Sequence, residues 1–195
     1  MLPGDEPAVA LTFDDGPHPR GTPAVLEALA ATGARATFFL IGEQVRRSPA
    51  LAAEIVAAGH AVALHGDHHR LQLRCAPRAL ADDLDRGHAT IAEASGVAPR
   101  RYRPPFGVFS PAGLAIVRRR GWAPLLWSRW GHDWRLHRTP AQIAAELTGR
   151  LEKGDVLLLH DADDYSQPGS WQRTVKALPA VLDAIGRRGL ATVTL

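Results

Sequence analysis

Two adjacent carboxylates, Asp14 and Asp15, stand between the apolar run Ala8-Val9-Ala10-Leu11 and a Gly16-Pro17 break. The run has the length and flanks of a buried strand, and Gly-Pro punctuates the chain. Neighbouring strand residues point to opposite sides, so paired aspartates at a strand end suit two tasks. One can hold a cation while the other handles a proton. Asp-Asp-Gly-Pro alone is also ordinary turn chemistry, so the partners must come from further along. His65 and His69 are four apart, and on a helical turn both imidazoles face the same ion. With Asp15 they form a two-histidine, one-carboxylate set that leaves a position open for water. Zinc there brings a water pKa to about 7. The same set accommodates ferrous iron or other divalent transition metals. His68 competes with His69, because a spacing of three also fits one helix face. His18, His60, His88, His132 and His137 read as surface or capping residues.

A proton donor is available as well. His160 ends the run Val156-Leu157-Leu158-Leu159 and can protonate a leaving amine if a carboxylate keeps it charged. Asp133 suits that task, and Arg103 can pair with an aspartate. Opposing pairs of this kind separate the pKa values of base and acid. Leu158 shares a strand face with His160, so it and Trp134 can wall an apolar pocket, with core packing as the plainer reading.

These residues need a scaffold that gathers them. Strands are expected at 8–11, 37–41, 61–64, 101–103, 122–127, 155–159 and 191–194, with Trp130 to Trp134 beyond the end of the fifth. Thr22-Pro23, Ser48-Pro49, Ser110-Pro111 and Thr139-Pro140 are helix-start signals, cap followed by proline. Further helices are expected at 77–95 and 171–185. Strand–helix alternation implies a parallel sheet covered by helices. Asp14, Asp15, His65, His69, Arg103, Asp133 and His160 each follow a strand's C-terminal end. That edge carries the chemistry in α/β barrels and holds the ligand in open sheets. A barrel is preferred, because closure unites polar ends spread over so many strands.

Composition narrows the class. The chain has 195 residues, 46% hydrophobic and 22% charged, with net charge +3, as for one soluble domain spanning 1–195. Arg118-Arg119-Arg120 and Arg187-Arg188 precede glycines and suit helix C-termini. Without a basic patch interleaved with aromatics, no nucleic-acid partner is expected. Cys75 is the only cysteine, which removes disulfide frameworks and thiolate zinc sites. No run reaches the roughly 18 apolar residues of a membrane span. Met1 to Glu6 carry no leader pattern. As written the chain is expected in the cytoplasm; a trimmed N-terminus would place it outside the cell or in the envelope. Oligomeric state is left open.

The motifs together resemble the polysaccharide deacetylase family, the NodB-homology domain of carbohydrate esterase family 4. Thr12-Phe13-Asp14-Asp15-Gly16-Pro17 matches its first motif letter for letter, and His65 with His69 matches the second. Arg103-Pro104-Pro105-Phe106-Gly107, Asp133-Trp134 and Leu158-Leu159-His160 match the remaining three in order. The resemblance implies a distorted (β/α) barrel and metal-dependent removal of acetyl from an N-acetylated carbohydrate, peptidoglycan or a chitin-type glycan. It implies Asp15, His65 and His69 as ligands of one divalent metal, with Asp14 as base for the metal-bound water. It implies His160 as acid tuned by Asp133, and Arg103 orienting Asp14. The backbone N–H of Phe106 would face the oxyanion, and Trp134 and Leu158 the acetyl methyl. Gly66 stands where the family usually has Ser or Thr, and Trp130 where it often has aspartate. Two alternatives stay open: a hydrolase of small N-acyl or cyclic amides, and a catalytically silent carbohydrate-binding barrel.

Overall fold

The computed structural model describes residues 7–195; Met1 to Glu6, on which the expectation about a leader rests, lie outside the described residues. β1 (Ala8–Asp14) is buried at every position, which explains its continuous apolar run: both faces of a parallel strand are covered. It pairs in parallel with β2 (Ala36–Ile41) and β7 (Val156–His160), and β3 (Ala61–Gly66) continues beside β2. Beyond β3 come the two-residue strands β4 (Arg101–Tyr102) and β5 (Ala123–Pro124), while β6 (Arg129–Trp130) lies outside β7. A short β8 (Ala191–Thr192) pairs with the start of β1. The order is therefore β5-β4-β3-β2-β1-β7-β6, parallel throughout.

This is a distorted, incompletely laddered (β/α) barrel. No ladder joins β5 to β6 among the described residues. Instead residues 125–128 cross from one edge to the other. Leu125 N–H donates to the Tyr102 carbonyl at 2.9 Å, and Ser128 N–H donates to the Val156 carbonyl at 3.0 Å. The expected strand at 122–127 is thus shortened, and a separate strand begins at Arg129. Pro124 contributes: it has no N–H for a ladder.

Among the described residues seven α-helices surround the sheet: α1 (Gly21–Ala30), α2 (Gly42–Arg47), α3 (Pro49–Ala57), α4 (Pro77–Ser95), α5 (Pro111–Arg119), α6 (Pro140–Thr148) and α7 (Ser170–Arg187). No helix among the described residues is long and apolar enough to cross a membrane. Ser110 and Thr139 cap α5 and α6 through their side chains, Thr139 in a reciprocal capping box with Gln142. Ser48 is the N-cap of α3 without a side-chain bond. Thr22 is not a cap. It lies inside α1, where the His18 ring does that work: Nδ1 accepts from Gly21 N–H at 2.8 Å. The core lies between sheet and helices, with Leu11, Leu40, Leu64, Leu157 and Leu159 fully buried and Phe13 stacked on Phe38 at 5.1 Å. Full burial of such a side chain contributes about 1.5–3 kcal/mol.

Helix α4 lies directly against the backbone that follows β3. A Cβ on Gly87 would meet Asp67 N at 2.7 Å and the Gly66 carbonyl at 2.8 Å. Both contacts are backbone, so neither can swing aside. Gly87→Ala is expected to cost about 1–3 kcal/mol of stability, measured as a lower urea midpoint at unchanged slope.

Candidate active site

Register brings the polar strand ends together. Asp14 is the Cα partner of His160 across β1 and β7, and Thr12 the partner of Leu158. Trp130 pairs with Leu158 across β6 and β7. The result is one cavity of about 250 Å³ at the C-terminal edge, lined by Asp14, Asp15, His65, His69 and His160. Phe106, Gly107, Trp134 and Leu158 also face it, as do three residues outside the motifs: Trp127, Tyr165 and Ser166.

Asp14 and Asp15 do not point to opposite sides as strand alternation predicts; both reach the cavity. The strand ends at Asp14, and Asp15 takes a left-handed φ of +79° that redirects its side chain. Asp15 Oδ1 lies 3.4 Å from Nε2 of His65 and 3.4 Å from Nε2 of His69. His65 Nδ1 is 2.8 Å from the Arg103 carbonyl oxygen, an arrangement that puts the proton on Nδ1 and leaves Nε2 as a lone pair. The ligand atoms of the three side chains lie within 4.8 Å of one another. Asp15 Oδ1 is buried and without a hydrogen-bond partner. An orphaned carboxylate oxygen facing two imidazoles fits a divalent transition-metal ion.

The electrostatics agree. Burial alone would raise the Asp15 carboxyl; the close approach of His65 and the charges of His160 and His69 outweigh it and hold the pKa at about 2. Burial pushes His69 down to about 4, only partly opposed by Asp15, so its ring is neutral and able to ligate at pH 7. Tyr165 stacks on that ring at 4.4 Å and 11°, with Phe106 edge-on at 4.6 Å. Tyr165 is therefore a wall of the site. Its phenol donates to Glu43 at 2.6 Å and accepts from Gln44 at 3.1 Å.

His68, the competitor of His69, is turned away, its Nδ1 2.8 Å from Asp83. Among the other histidines the expectation of surface positions fails for His60 and His132, both buried. His60 accepts from Ala36 N–H, and His132 packs against Trp130. His18 is buried and does cap, as α1 shows.

Two polar pairs flank the trio. Arg103 is fully buried; it donates to Asp14 Oδ1 at 2.6 Å and Thr12 Oγ1 at 2.9 Å, and it reaches the Leu126 carbonyl at 3.3 Å. On the other side His160 Nδ1 lies 2.9 Å from Asp133 Oδ1. Asp133 Oδ2 accepts from His160 N–H at 2.7 Å and Thr174 Oγ1 at 2.6 Å. Burial by itself would depress the imidazolium, but the charge and hydrogen bond of Asp133, then Asp15 and Asp14, lift it to about 10. Asp161, next in sequence, plays no part in this pair. It is buried against Thr22, at 2.5 Å, and burial pushes its carboxyl up to about 7.

A cavity at the C-terminal edge of a parallel sheet, lined by two carboxylates and three histidines, is where α/β barrel enzymes carry their active sites. A family model described as polysaccharide deacetylase matches residues 2–124, more than half of the sequence. The chain belongs to the polysaccharide deacetylase family. A peptidoglycan-N-acetylglucosamine deacetylase of Bacillus cereus is 34% identical over 197 residues, covering 100% of this chain and 89% of the relative. A chitooligosaccharide deacetylase of Bradyrhizobium sp. is 35% identical over 189 residues, covering 93% and 86%. A family 4 carbohydrate esterase from Streptomyces lividans, solved with acetate, aligns with a TM-score of 0.85 at 29% identity, over 95% of this chain and 91% of that one.

Proposed function

We propose that this chain is a metal-dependent N-deacetylase of glycans containing N-acetylglucosamine, and that Asp15, His65 and His69 hold the metal. The observation that carries the reading is the trio's place in one cavity, between the Asp14–Arg103 and His160–Asp133 pairs. The names of the relatives, peptidoglycan and chitooligosaccharide deacetylases, supply the substrate class. A divalent ion bound there polarises an acyl carbonyl and lowers the pKa of a water.

The chain's own groups have separable tasks. Asp14 gives Oδ1 to Arg103, which leaves Oδ2 to take a proton from the attacking water. Because His160 Nδ1 is committed to Asp133, Nε2 is the atom that delivers a proton to the departing amine. Leu158 and Trp134 present apolar surface to the acetyl methyl. Phe106 projects its ring to solvent and contributes its backbone N–H to the oxyanion, in a turn where its own φ is +62°. This division matches general acid–base catalysis of amide cleavage, with a preorganised donor at the developing charge.

The rim favours a sugar over a bare amide. Trp127, Trp130 and Trp134 follow one another at 5.5 Å centroid spacings, and Trp130 is 40% exposed. Flat aromatic faces of that kind suit the C–H faces of a pyranose. Trp130→Ala is expected to raise KM for an N-acetylglucosamine oligomer by about 2- to 10-fold, with kcat little changed. The test of the reading itself is acetate release from such an oligomer by the zinc-loaded chain, beside a chelator-stripped sample. Release only with metal supports it; a metal-loaded chain that releases no acetate from any N-acetylated glycan overturns it.

A further inference from the structure

The loop that delivers His69 has no hydroxyl brace behind His65, because Gly66 stands there. Gly66 takes φ +117°, and a Cβ on it would come within 2.9 Å of the His68 carbonyl oxygen. An L side chain is strained in that conformation, so the loop must be held from elsewhere.

Three of its donors converge on one carboxylate of α4. Asp83 Oδ2 accepts from Asp67 N–H at 3.0 Å and His68 N–H at 3.4 Å, and Oδ1 lies 2.8 Å from His68 Nδ1. Asp83 is 3% exposed, so these donors have little water to turn to. Gly87, one turn further along α4, allows the close backbone approach that puts Asp83 within reach. The far side of the loop is tied as well: the Asp67 carbonyl accepts from Glu43 N–H at 2.9 Å, and its carboxylate takes Arg46 at 2.6 Å. Arg86 lies 3.4 Å from Asp67 and 3.8 Å from Asp83. Arginines thus answer the charge of the Asp67–His68–Asp83 cluster, which is a structural lattice and not a second cation site.

We propose that Asp83 is the positioning residue of the metal loop: it restrains the backbone at 67–68 and sequesters His68, so that His69 alone joins Asp15 and His65. The proposal rests on the metal-dependent reading above. It also accounts for the choice between two histidines whose spacings both suit a shared ion. Asp83 does not line the cavity, so it acts through the loop and not on substrate.

The test compares the wild-type chain with Asp83→Ala and Asp83→Asn. Zinc affinity is read by competition with a chromogenic chelator, and backbone protection at 67–70 by hydrogen exchange of the metal-free protein. For Asp83→Ala, zinc affinity is expected to fall about 10- to 100-fold, as when outer partners of metal ligands are removed. Exchange at Asp67 and His68 rises, and KM at saturating zinc stays unchanged. Asp83→Asn keeps one acceptor oxygen and falls between the two, which keeps the test decisive if the alanine variant does not fold. Lower thermal stability with wild-type zinc affinity and protection in the folded variants overturns the proposal. A wild-type chain that takes up no zinc overturns the metal reading instead, and the exchange result then decides separately whether Asp83 braces the loop.

Discussion

Asp14→Asn is expected to lose about 10²- to 10⁴-fold in kcat while the protein still binds one zinc per chain. The magnitude is that of a removed general base. Asparagine keeps the shape of the side chain and can still offer an oxygen to Arg103, but it cannot take a proton. Asp14 is not one of the trio: its Oδ2 is 3.7 Å from His65 Nε2, against 3.4 Å for Asp15 Oδ1. His65→Ala is the contrasting variant: it removes a proposed ligand and should lose metal and turnover together. Steady-state acetate release at saturating zinc, with metal content measured on the same samples, separates the two. Undiminished kcat in Asp14→Asn would show that the base lies elsewhere. Asp14→Asn also leaves the buried Arg103 guanidinium facing a neutral amide. Because breaking a buried pair costs about 3–5 kcal/mol, its unfolding midpoint should fall even where zinc binding is retained.

The second large effect is a pH-dependent one at His160. With its pKa lifted to about 10, the imidazolium proposed as the acid is present across the neutral range. Asp133→Asn removes the strongest group lifting that pKa, leaving burial to push it down. The alkaline limb of kcat/KM should therefore move to lower pH, with little loss near pH 6 and a loss that grows as pH rises. At pH 8 to 9 the deficit approaches the roughly 10²- to 10⁴-fold contribution of a positioned acid. The stability linkage has a definite sign. A pKa raised from 6.5 to about 10 on folding contributes stability that is full below pH 6.5 and lost as pH rises through 10. The wild-type chain should thus lose urea resistance between those values, and Asp133→Asn should lose less over the same interval. A pH–rate profile of unchanged shape in Asp133→Asn would remove Asp133 from this role.

Much of the site is legible in the residues and their order. Asp14, Asp15, His65 and His160 close or follow apolar runs, and strand ends in parallel α/β folds converge on one edge. Cap-proline pairs mark the starts of α5 and α6 well, since a cap acts within four residues of its helix. Other features are not legible in that way. Helix α2 is six residues long and starts at Gly42 without a cap bond, too short for a periodic pattern. The tryptophan-rich stretch reads as one strand, yet it divides between opposite edges of the sheet. The stacking of Tyr165 on His69 depends on the path of the loop after β7.

The sequence by itself determined which groups are available, in what order, and at which strand ends, because those properties are set by residues adjacent in the chain. Only the tertiary structure decided their pairing. Arg103 meets Asp14 across 89 positions and Asp133 meets His160 across 27, contacts fixed by sheet register and not by spacing. It set the places of His68 and His69 as well, one against Asp83 and the other in the cavity, since both spacings satisfy a helical turn. Gly66's left-handed backbone and the buried carboxylate of Asp83 turn one ring away and leave the other in the cavity.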